Sequence, residues 1–223
     1  MRRRRSHRRF IFVCCTSRME AGEDVARRPV HVRPLRRRVF AGGVEGNRRL
    51  TATTAAVLLV LLAAEGATLL ALRPLLSVHI FLGMLLIPSA ALKLASTGYR
   101  VARYYVRDAA YRLAGPPRLV MRVLVAPFVV ASTLGLFASG VALLVVGPRG
   151  GVVLGLHKAS FVVWLFAMSA HVLGYVLRLP ASVRADTEPG VGLRRGVVAC
   201  ALVAGLTLAL ATQPLARPWL HSA

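Results

Sequence analysis

Five apolar runs, near 51–72, 75–97, 123–146, 152–177 and 196–212, follow a polar stretch of fifty residues. Each matches or approaches the roughly 20 residues that a helix needs to cross hydrocarbon. None alternates polar and apolar positions as a barrel strand would, and backbone in lipid must bond within its own segment, so the runs are predicted to be helices. The expected fold is an all-α integral membrane bundle, with a four-helix core over 51–177 and a fifth transmembrane helix over 196–212. Segment 1–50 has no apolar face and is expected to be a disordered tail, with Met19 an alternative start. Residues 178–195 read as a loop and 213–223 as a short tail.

Charge orients this arrangement. The 223 residues carry 30 basic and 8 acidic side chains, and fifteen arginines lie in the first fifty positions. A net charge of +22 raises nucleic-acid binding, but the basic clusters MRRRRSHRRF and VRPLRRRVF lack the interleaved aromatic platforms of single-strand binders. Membrane topology explains them better. The 98–122 connection holds six arginines and 178–195 holds four, whereas Arg73–Pro74 and GPRGG are short and charge-poor. The positive-inside rule puts the N-terminus and the two basic connections in the cytoplasm and the C-terminus outside a cytoplasmic (inner) membrane. Tyr99, Tyr104, Tyr105 and Tyr111 fit the headgroup level beyond the second run, and Gly115–Pro116–Pro117 marks a turn. Arginine outnumbers lysine 28 to 2, a bias of coding composition rather than of chemistry.

Cys14, Cys15 and Cys200 form no CxxC or CxxCH pattern, which excludes a cysteine zinc site and covalent haem. No nucleophile elbow, phosphate loop or dinucleotide fingerprint occurs, so unaided catalysis is not expected.

The informative residues are the ionisable ones inside the runs, because each costs about 2.5–3.5 kcal/mol to insert. They are Glu65, His79, Lys93, His157, Lys158 and His171. His157 and His171 stand fourteen residues apart, about 21 Å along one helix face. On the topology above, His79 and His157 each lie about five residues inside the outer end of their runs. Matched depth makes them candidate axial ligands of one non-covalent haem b, against the alternative of two interfacial imidazoles bonded to carbonyls or headgroups. Gly83, Gly140 and Gly66 thin three helices near that depth, as a porphyrin would require and as ordinary membrane packing also produces.

Glu65 has three open readings: a partner for the distal N–H of a ligating imidazole, a protonated carboxyl bonded within the bundle, or a proton-relay group near a quinone pocket. Arg73, Arg149 and Lys158 are available to haem propionates or as interface anchors. His171 shares its depth with Lys93, which is a poor iron ligand because its amine is protonated. Lys93 is expected to snorkel, His171 to be a structural or pocket residue, and a second haem is not expected.

These histidine spacings resemble the four-helix membrane b-type cytochromes, especially the cytochrome subunits of formate dehydrogenase and nickel–iron hydrogenase and the bacterial cytochrome b561 group. In the formate dehydrogenase subunit a fourth helix bears two histidines fourteen apart. The resemblance matches its first pair with His157 and His79, and leaves His171 without its partner. It covers about 51–177. The strings HIFLGMLLIPSAALKLASTGYRVARYY and LHKASFVVWLFAMSAHVLGY also resemble a cytochrome b/b6-like class of uncharacterised bacterial membrane proteins.

The resemblance implies electron transfer through one bis-histidine haem between a quinone-type carrier and a redox partner subunit. The rival expectation is a cofactor-free membrane scaffold or subunit anchor. A transporter using Glu65 and Lys93 is disfavoured, since no broken-helix pair or inverted repeat is visible.

Overall fold

The computed structural model describes residues 42–114, 124–176 and 189–220, and among these every regular element is helical. The helices are α1 (Gly43–Thr68), α2 (Leu72–Tyr105), α3 (Ala109–Leu113), α4 (Ala126–Val146), α5 (Gly151–Tyr175) and α6 (Val191–Leu220). A 3-10 turn, Leu69–Ala71, joins α1 to α2. Four stretches are long and apolar enough to cross a membrane: Gly43–Tyr105, Ala126–Val146, Gly151–Tyr175 and Val191–Leu220. These are the dimensions and hydropathy of a multi-pass membrane protein. The expectations on residues 1–41, including Met19, Cys14 and Cys15, and on Gly115–Pro116–Pro117, 178–188 and 221–223 lie outside the described residues.

The first stretch is a hairpin rather than one rod. Ala71 leaves helical geometry at φ −144° and ψ 60°, and α2 then runs back along α1. Near the start of α1, Asn47 Nδ2 donates to the Ser96 carbonyl at 3.2 Å and Lys93 Nζ to the Thr51 carbonyl at 2.9 Å. Near its end, Glu65 and Thr68 meet His79. Two legs therefore replace the first two runs, with the reversal at Leu69–Ala71 and not at Arg73–Pro74, because Pro74 sits in the first turn of α2, where its missing N–H is harmless.

α2 is the hub, packed against both α1 and α6. Its contact with α6 is close: a Cβ at Gly205 would stand 2.4 Å from the Leu85 carbonyl oxygen, so only glycine lets the two backbones meet. Met84, Leu144 and Ala209 form the core cluster that brings α2, α4 and α6 together. α4 and α5 form a second hairpin, in which Trp164 Nε1 donates to Thr133 Oγ1 at 3.1 Å.

Two ends extend beyond their apolar runs. α1 begins at Gly43 because Glu45 in its first turn pairs with Arg48 at 2.6 Å and Arg49 at 2.8 Å, a helical spacing hidden in what reads as a charged tail. α6 continues through Pro214 and Pro218 to Leu220, held by fully buried Ala216 and by Trp219, so 213–220 is helix and not tail.

Candidate cofactor site

A cavity of about 920 Å³ lies between the α1–α2 hairpin and the α4–α5 hairpin, a volume near the top of the ordinary range for small-molecule pockets. Its walls are almost wholly apolar, with Leu62, Leu76, Ile80, Leu136, Phe137, Phe161 and Met168 among them. No residue of α5 is fully buried, since one face fronts this cavity and the other the surroundings.

Into that apolar space the helices bring both depth-matched histidines. His79 lines it from α2 and His157 from α5. Each ring is held through one nitrogen by the neighbouring helix. His79 Nδ1 stands 2.9 Å from Glu65 Oε1 and 3.0 Å from Thr68 Oγ1. The Thr68 hydroxyl gives its own proton to the Glu65 carbonyl at 2.6 Å, so it accepts from the imidazole. His157 Nδ1 stands 3.2 Å from the Leu136 carbonyl and 3.1 Å from Ser139 Oγ. A carbonyl can only accept, and Ser139 donates elsewhere, to the Gly135 carbonyl at 2.7 Å.

Both histidines therefore carry their proton on Nδ1. In the neutral ring that leaves Nε2, across the imidazole, as the lone-pair atom. This is the second-sphere arrangement of metal-ligating histidines, in which the non-coordinating N–H is given to a carboxylate, hydroxyl or carbonyl.

Gly140 makes room for this network. A Cβ at Gly140 would lie 3.2 Å from His157 Cε1, and one at Gly83 would lie 3.6 Å from Glu65 Oε1. Gly66 lines the cavity but a Cβ there would meet nothing within 4 Å. Lys158 also lines the cavity and supplies its cationic group; Arg73 and Arg149 are not among the lining residues.

His171 is also outside the cavity wall, its ring tilted against Tyr175 with centroids 5.1 Å apart. Lys93 is bound to the Thr51 carbonyl of α1, anchored within the bundle rather than extended along the surface.

Three contributors escaped the sequence. Thr68 and Ser139 read as ordinary small polar helix residues; their relation to the histidines, eleven and eighteen residues away, is purely tertiary. Trp219 was assigned to a tail, yet it lines the cavity and donates Nε1–H to the Leu143 carbonyl at 3.1 Å. The usable signal was a tryptophan near the level of the outer histidines.

The site suits a porphyrin iron better than a bare ion. Among the described residues no group of three or more His, Cys, Asp or Glu side chains is assembled that could hold a metal ion. Two imidazoles leave a tetrahedral ion half-liganded, whereas a haem needs from the protein only axial donors and an apolar chamber. No family model matches this chain, and neither a curated protein nor a solved structure is similar to it.

Proposed function

We propose that this protein is a b-type haem electron-transfer component of the cytoplasmic membrane, with His79 and His157 as the two axial ligands of a single haem. The observation that carries the reading is that two imidazoles line one apolar cavity, each bonded through Nδ1 to acceptors on the neighbouring helix.

Each residue has a separable part. Glu65 and Thr68 fix the tautomer and orientation of His79, and the carboxylate raises that ring's donor strength. Ser139 and the Leu136 carbonyl do the same for His157 with neutral acceptors. Gly140 lets the His157 ring lie close to α4. Lys158 supplies a cation for the propionates. The remaining walls exclude water, which with ligand identity is what the protein contributes to the redox potential. Haem would supply a reversible one-electron change at iron.

The basic connections of the sequence favour an outer-leaflet position for the histidine end of the bundle. A single haem there suits exchange with a quinone-type carrier or an external redox subunit. His171 and Lys93 take no part, for they lie away from the cavity.

Haem content tests this reading. Wild-type protein purified from haem-replete cells is expected to bind about one haem per chain, and His79→Ala and His157→Ala are expected to lose most of it while His171→Ala keeps it. Colourless folded wild type, or equal haem in all three variants, would return the chain to the class of cofactor-free membrane anchors.

A further inference from the structure

Resting on the haem reading above, we propose that α6 is part of the cofactor site, with Trp219 as the residue that closes the cavity and holds the haem in it. α6 lies against α2, fixed there by the Gly205–Leu85 contact and by Ala209 beside Met84. It therefore belongs to one wall of the cavity. α5 packs chiefly on α4, so the cavity separates two helical groups that approach one another at few places.

Trp219 adds a hydrogen bond between those groups, beside the Leu144 contact with Met84 and Ala209. Its Nε1–H reaches from the last turn of α6 to the Leu143 carbonyl of α4, 3.1 Å away. Leu143 lies three residues beyond Gly140, against which the His157 ring rests, so the clasp sits only about 4.5 Å along α4 from the ligand level. An ordinary interface tryptophan keeps its N–H in the headgroup region. Here the N–H is bonded to a helix carbonyl of the facing wall, while the residue lines the cavity.

Cofactor leaving between the two groups must part them, and parting them at this end breaks the Trp219–Leu143 bond. Trp219 thus sets the rate of haem release. It is a positioning residue, acting on cofactor retention and not on the ligand set.

The experiment measures transfer of haem b from the full-length, haem-loaded protein in detergent to excess apomyoglobin, together with thermal unfolding of loaded and haem-free protein. Trp219→Phe, which keeps a ring but loses the donor, is expected to release haem about 2- to 10-fold faster. Trp219→Ala, which loses the ring as well, is expected to release it on the order of 100-fold faster. In both, the stabilisation that haem confers on unfolding should shrink, a change that a purely structural role for Trp219 would not produce.

Unchanged release from either variant overturns the proposal. So does equal destabilisation of the loaded and haem-free forms. If Trp219→Ala fails to fold, the phenylalanine variant decides. Wild type that takes up no haem is a different failure, removing the haem reading itself and this inference with it.

Discussion

Gly140→Ala is the sharpest test of how His157 is held. The new Cβ would stand 3.2 Å from His157 Cε1 and 3.6 Å from its Nδ1. Carbon atoms are attractive at about 3.5–4.0 Å and repel inside that range, so the ring must retreat by a few tenths of an ångström. Retreat is opposed by two hydrogen bonds, at 3.1 Å to Ser139 and 3.2 Å to the Leu136 carbonyl, both of which come from α4 itself. Overpacking of this kind costs about 1–3 kcal/mol, and the ~0.8–1.0 kcal/mol that alanine gains over glycine in a helix is common to the loaded and haem-free protein and drops out of binding. Strain falling on the liganding ring should weaken haem binding by about 5- to 100-fold, at 1.4 kcal/mol per tenfold. Titration of the apoprotein with haem b, followed by absorbance, reads the effect. Gly155→Ala is the control, since its Cβ meets nothing within 4 Å and Gly155 is not among the lining residues; it should bind haem as wild type does. Equal affinity of Gly140→Ala and Gly155→Ala would show that Gly140 does not position His157.

Other substitutions separate the parts of the site. Glu65→Gln should retain haem while raising its midpoint potential, because the carboxylate that strengthens His79 as a donor is gone; a potentiometric titration reads this, and Ser139→Ala should change the potential less. Gly205→Ala should destabilise the fold by about 1–3 kcal/mol or more, seen as an earlier unfolding transition in detergent, since the obstacle at 2.4 Å is backbone and cannot rotate away. Trp164→Phe should lower stability by about 0.5–1.5 kcal/mol through loss of its bond to Thr133, seen as an earlier unfolding transition in detergent.

Much of the bundle was legible because hydrophobic length is a strong signal in lipid. The matched depth of His79 and His157 was readable too, since helical rise converts residue count into depth; the cavity lined by both rings follows that arithmetic. By the same reckoning Glu65, eight residues before Arg73, falls about 12 Å inward along its helix, and it stands 2.9 Å from His79.

What remained hidden depended on rotation about the helix axes and on contacts between distant segments. Gly66, Gly83 and Gly140 looked equivalent as small residues at one depth, yet a Cβ would be crowded at Gly140, in ordinary contact at Gly83 and free at Gly66. Ser139 and Thr68 could not be told from other helix hydroxyls, because their value lies in which proton they donate and which they accept. The run ending at 212 concealed Trp219, since Gln213–Pro214 resembles a helix stop although prolines persist in helices where packing restores the lost bonds. Arg73 and Arg149 were plausible by depth alone, while only Lys158 of the three lines the cavity.

If His79 and His157 both ligate one iron, low-temperature electron paramagnetic resonance of the oxidised, haem-loaded protein reports it. Wild type is expected to give a low-spin ferric signal that is replaced by a high-spin signal, or lost with the haem, in both His79→Ala and His157→Ala, and is unchanged in His171→Ala. A wild-type signal that is high-spin, or one that survives removal of either histidine, would contradict it.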